Sequence, residues 1–92
     1  HLNSPIAEAK AKISDAYTTM LLDFGITHDE YLHSKSEKAI EVRMRMAVIA
    51  NELLKPHFDA SVASRFINMK RSTYQECIKR WRRDHGPKDN LA

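Results

Sequence analysis

Residues 59–83 read DASVASRFINMKRSTYQECIKRWRR, and the spacing of the apolar side chains in this stretch decides the fold. Tyr74, Cys77, Ile78 and Trp81 fall at i, i+3, i+4 and i+7, one face of a helix with 3.6 residues per turn. Gln75, Glu76, Lys79, Arg80, Arg82 and Arg83 occupy the opposite face. Val62, Phe66 and Ile67, together with Phe58, anchor a shorter helix ahead of it, and a tight turn separates the two. The stretch is also lopsided in charge, with seven Lys/Arg between Arg65 and Arg83 against one acid, Glu76.

A run of charge by itself is usually a solvated helix face. Here three features point further: the sign bias, the short helix in front, and a polar Lys70-Arg71-Ser72-Thr73 start. Together they predict a helix-turn-helix, in which the second helix enters the major groove of double-stranded DNA and its first residues meet base edges. Lys70, Arg71, Ser72 and Thr73 are then the base-contacting candidates, with Lys79 and Arg80 on phosphates. Ser72 and Thr73 are equally candidates for capping that helix.

The remainder of the 92 residues supports one domain, too short for a second core. Hydrophobic residues make up 42% and charged residues 29%, a globular balance, and two Gly and three Pro leave room for long helices. Net charge is only +3, yet residues 1–42 carry four basic and seven acidic side chains, while residues 65–83 carry a net +6. Such a split gives one polyanion-binding face. A single Cys rules out an intramolecular disulfide and fits a reducing compartment, and no apolar run is long enough to cross a membrane. Cytoplasmic, nucleoid-associated placement is the expectation. His1–Asn3 are set aside as a remnant or the edge of a longer chain.

In chain order, Ser4-Pro5 starts a first helix whose apolar positions are Ile6, Ala9, Ile13, Ala16, Tyr17, Met20 and Leu21, and Gly25 stops it. Thr27 and Glu30 form a capping box that opens a short helix with Tyr31 and Leu32. His33–Ser36 is polar and predicts a loop, with Ser36 as the next cap. A central helix then runs to about Lys55, ahead of Pro56. Its many apolar positions make it the most buried element, with Lys38, Glu41, Arg45 and Glu52 on the solvated side. Trp81 is expected as a core anchor, and residues 84–92 as a frayed tail.

From Ile13 to Arg82 the ordered signals LLDFGITHDEYLHSKS, VRMRMAVIANEL and VASRFINMKRSTYQECIKRW resemble the C-terminal DNA-binding domain of the chromosomal replication initiator DnaA. That resemblance covers about three-quarters of the chain and implies an all-α, Trp-repressor-like helix-turn-helix of about five helices. It implies base contacts at Lys70, Arg71, Ser72 and Thr73 and a phosphate contact at Arg43. It also implies a minor-groove loop at His33–Lys38, with Lys35 and Lys38 as its cations. A role in replication initiation, its regulation or transcription control follows from it. Pairing of two copies through the first helix is left open.

The chain departs from the family at three places. Lys70-Arg71-Ser72-Thr73 stands where the family has Asp-His-Thr-Thr, Ile67 and Asn68 replace turn glycines, and Glu37 enters the basic loop. Lys and Arg favour guanine O6/N7 or phosphate, so a target other than the initiator's own box is expected. Asn tolerates the left-handed conformation that the turn requires.

Nothing else carries chemistry. His28, His33, His57 and His85 show no metal-ligand spacing, and a loop boundary is expected between His28 and His33. Cys77 reads as a small core residue, Met44 and Met46 as core fillers. With Gly only at 25 and 86 there is no phosphate-cradling loop. The expectation is a non-enzyme with no cofactor and no metal. The rival reading is a helical adaptor whose basic face binds an acidic partner protein.

Overall fold

The helix with the broadest apolar surface is the one that every other helix touches. The computed structural model describes residues 5–54 and 59–85, leaving aside the side chains of residues 5, 6 and 85. Among these residues the chain is all-α, with α1 (Pro5–Phe24), α2 (His28–His33), α3 (Glu37–Leu54), α4 (Ala60–Phe66) and α5 (Arg71–His85) and no strand. Helix α3 packs against α1, α2, α4 and α5. Its Ala39, Val42, Met46, Ala47, Ala50 and Leu54 are wholly inaccessible. Three of these are alanines, and Ala63 and Ser64 on α4 are also small and buried. Small side chains let neighbouring backbones approach closely, which is how α3 serves four partners at once.

The helix ends follow local chemistry. Helix α1 stops where Gly25 takes φ +67°, the left-handed conformation that glycine adopts without strain. The Gly25 N–H then donates to Leu22 O at 3.3 Å and the Ile26 N–H to Leu21 O at 3.1 Å, a Schellman pair. Thr27 opens α2 with a complete capping box, Glu30 N–H to Thr27 Oγ1 at 3.1 Å and Thr27 N–H to Glu30 Oε1 at 2.9 Å. Ser36 caps α3 through the Ala39 N–H at 3.2 Å, and Asp59 caps α4 through the Val62 N–H at 3.1 Å. Ser4 as a cap, Pro56 as a stop and Phe58 as an anchor lie outside the described residues.

Several expectations need correction. His33 is the last residue of α2 and not part of the loop, so no loop boundary separates it from His28. Asp84 and His85 continue α5, so of the expected tail only residues 86–92 lie outside the described part. Trp81 is half-buried rather than central. The Arg45 guanidinium lies 5.8 Å from its ring centroid and 5.6 Å from that of Phe24, and Arg45 Nε donates to Glu41 Oε2 at 2.7 Å. Trp81 therefore closes the α1–α3–α5 edge over a charged side chain, a contact of about 0.5–1 kcal/mol when exposed. Glu41, expected on the solvated side, is half-buried by this arrangement.

Candidate nucleic-acid interface

Helix α4, a turn over residues 67–70 and helix α5 form the C-terminal third of the described fold. The turn is a second Schellman end: Asn68 N–H donates to Arg65 O at 3.2 Å and Met69 N–H to Ser64 O at 2.9 Å. Asn68 supplies the left-handed residue, with φ +55°. Helix α5 begins after Lys70, whose carbonyl accepts the Tyr74 N–H at 2.9 Å. Ser72 and Thr73 therefore lie inside the first turn, past the cap position, and both are exposed. Their expected capping role is not realised, and the cap position belongs to Lys70.

The buried face of α5 is the one its periodicity specified. Tyr74 and Ile78 are buried, and Cys77 is half-buried against the core. Burial pushes the Cys77 thiol up, with Arg43 and Arg80 pulling the other way, so it remains a protonated packing group. Lys70, Arg71, Ser72, Thr73, Lys79, Arg80 and Arg82 are all exposed. None of the five cations in that set forms an ion pair among the described residues.

A surface groove runs between the end of α2 and the turn before α5. One wall carries His33, Ser34 and Lys35, and the other carries Asn68, Met69, Lys70 and Thr73. Tyr31 and Arg43 line it from beneath. Among the described residues its lining holds Lys35, Arg43 and Lys70 and no carboxylate, so positive charge predominates there. A second groove, between α3 and α5, shares Arg43 and Thr73 and continues to Arg80 beside Glu76. Further along, Arg80 and Lys38 share a third groove with Glu37, Glu41 and Asp84, where acids outnumber bases. Lys79 lies apart, beside Gln75 and Arg82 on the α4 edge. Consecutive positions on a helix are 100° apart, which separates Lys79 from Arg80 in this way.

The structure thus brings Lys35, Arg43, Lys70 and Thr73 to one groove, links Arg80 to it, sets Lys38 among acids and places Lys79 elsewhere. Arg43 lies within α3, and it is half-buried. Its Nη1 donates to Tyr31 O and its Nη2 to Ser34 O, both at 2.6 Å. Arg43, expected to meet phosphate, thus gives one N–H from each terminal nitrogen to a backbone carbonyl and keeps a second on each.

Sequence reasoning passed over Tyr31. It is 1% exposed, its hydroxyl donates to Ile67 O in the turn at 2.6 Å, and its ring meets Tyr17 edge-on at 4.9 Å. Burial raises the phenol well above its ordinary range, so the hydroxyl stays a donor. Its position next to a capping box was visible, but its partner 36 residues away was not.

Among the described residues no three His, Cys, Asp or Glu gather to hold a metal ion, and no helix is long and apolar enough to cross a membrane. His33 pairs with Asp29 at 3.9 Å, and the Tyr17 hydroxyl bonds His28 Nδ1. Compared with protein-family models, curated proteins and solved structures, the chain finds no match.

Proposed function

We propose that this domain binds double-stranded DNA through α4, the turn and α5 acting as a helix-turn-helix, without catalysis. The observation that carries the reading is the groove at the start of α5, lined by Lys35, Arg43 and Lys70 with no carboxylate among the described residues, and continued by Arg80 beside Glu76. In this reading the exposed Lys70, Arg71, Ser72 and Thr73 meet base edges in the major groove. Lys35, Arg80 and Lys79 hold phosphates, and Lys38, with acids at its flanks, contributes least. The resemblance to the DNA-binding domain of the replication initiator supports a role in replication initiation, its control or transcription. The Lys-Arg start of α5 favours guanine-containing steps.

Selection of bound duplexes from a randomised pool at two salt concentrations tests the proposal. A recovered sequence motif supports a specific reader. Affinity without a motif, collapsing with salt, leaves phosphate binding alone. Failure to retain any duplex overturns the proposal in favour of an acidic protein partner for the same face. On a recovered motif, Arg71→Ala is expected to cost about 1–3 kcal/mol and to relax sequence choice. Lys79→Ala is expected to weaken all duplexes alike and to reduce the salt slope by about one.

A further inference from the structure

The cationic groove has two walls from distant parts of the chain, and two buried or half-buried groups join them. Helix α2 is six residues long, so its last carbonyls lack intrahelical partners. Glu30 O is met by the Ser34 N–H at 2.8 Å, and Tyr31 O by Arg43 Nη1 at 2.6 Å. The same guanidinium reaches Ser34 O through Nη2, so one rigid fork fixes the residue next to Lys35. From the same residue of that short helix, the Tyr31 hydroxyl donates to Ile67 O. Ile67 is the last residue before left-handed Asn68, in the turn that leads to Lys70. The linkage runs from the Lys35 loop through Arg43 and Tyr31 to the turn.

We infer that Tyr31 and Arg43 are positioning residues that lock the Lys35 loop against the Lys70 turn, so that both groove walls meet one DNA duplex in one fixed register. The inference rests on the duplex binding proposed above. Lysine is a flexible point charge, and two lysines on independent loops would engage a duplex independently. Held in register, they cooperate, because binding at one wall no longer has to order the other. The Arg43 nitrogens act on backbone carbonyls here, so Arg43 works through the loop that it braces.

The test is a double-mutant cycle of Lys35→Ala and Lys70→Ala, measured in the whole chain on one mixed-sequence duplex. It is run in the wild-type background and again with Tyr31→Phe, which removes a single oxygen, circular dichroism confirming that each variant is folded. In the wild type, the double variant's loss of affinity is expected to differ roughly three- to ten-fold from the product of the single losses. With Tyr31→Phe the two losses should multiply, and Arg43→Lys, which keeps the charge but not the fork, should do the same. Amide exchange in free protein gives a readout without DNA: Tyr31→Phe should speed exchange at Asn68 and Met69, and Lys35→Ala should not. Persistence of the coupling in Tyr31→Phe, or unchanged exchange at those amides, overturns the brace. Absence of wild-type duplex binding overturns the proposed function and, with it, the role of the brace. Accelerated exchange at Asn68 and Met69 in Tyr31→Phe would then show that the linkage itself exists.

Discussion

The turn between α1 and α2 and the turn between α4 and α5 close with the same pair of backbone hydrogen bonds, but different things hold them. At the first, Gly25 provides the left-handed residue and Thr27 with Glu30 completes a capping box within three residues. At the second, the left-handed residue is Asn68, the cap position is Lys70, and the support is Tyr31 from across the molecule. Asp29 and Glu30 sit in the first turn of α2, where negative charge complements the helix dipole. The first turn of α5 has no acid and opens with Lys70 and Arg71. One turn is optimised for stability. The other concentrates positive charge where a helix already presents its positive end, an arrangement that costs stability in the free protein and that an anion relieves.

The largest expected effect comes from removing the long-range bonds that Arg43 makes to α2 and the residue after it, the element from which Tyr31 reaches the second turn. Arg43→Ala deletes two charge-assisted hydrogen bonds and leaves the Tyr31 and Ser34 carbonyls without them. Each such bond is worth up to about 1.5–3 kcal/mol. Because the site is half-buried and water can reach it, a total loss of about 2–3 kcal/mol in denaturant unfolding is expected. Thr27→Ala, which removes only the cap of the first turn, should cost about 1 kcal/mol. If Arg43→Ala costs no more than Thr27→Ala, the contrast between local and long-range support in this fold fails.

The same contrast marks what was legible in the sequence. Gly25, the Thr27–Glu30 box and Ser36 announce themselves because their partners lie within four residues, where spacing alone dictates geometry. The apolar spacing of α5 likewise gave Tyr74, Cys77 and Ile78 their face, and the crowded apolar positions of α3 made it central. Tyr31 and Arg43 were read as a passenger of a short helix and as a phosphate ligand. Their bonds span 36, 12 and 9 residues, which no local rule reaches. Trp81 was placed in the core by periodicity, yet the presence of Arg45 and Glu41 beneath that edge depends on how α1, α3 and α5 meet. Charge sign was legible; which cations share a groove was not, since Lys35 and Lys70 meet only through the tertiary fold.

Exchanging the chemistry of the two helix starts is a direct way to sharpen the comparison. Lys has no side-chain acceptor, so it cannot cap the amides that Thr27 and Asp59 cap elsewhere in this fold. Lys70→Asp should therefore stabilise the free domain by about 1 kcal/mol, read as a higher denaturant midpoint at unchanged slope. The same variant should bind duplex DNA at least roughly ten-fold more weakly, because a cation at the polyanion's surface becomes an anion that it repels. Gain of stability with loss of affinity would show that α5 is built for an anion at the expense of its own folding. Loss of both would mean that Lys70 supports the fold through some contact of its own.

The smallest effect separates the two left-handed residues themselves. A Cβ built on Gly25 meets nothing within 4 Å, so Gly25→Ala is penalised only by its φ of +67° and should cost about 1–2 kcal/mol. Asn is the residue other than glycine that visits this region most readily, and glycine loses more backbone freedom on folding. These terms oppose each other, so Asn68→Gly should shift stability by only a few tenths of a kcal/mol, whereas Asn68→Ala should cost about 1 kcal/mol. Because Asn68 also lines the cationic groove, the informative comparison is between its effects on folding and on duplex binding. Unchanged stability with weakened binding in Asn68→Gly would show that the amide side chain serves the groove. Unchanged binding would leave Asn68 as the turn's substitute for glycine, and the whole difference between the two turns would then rest on Tyr31, Arg43 and Lys70.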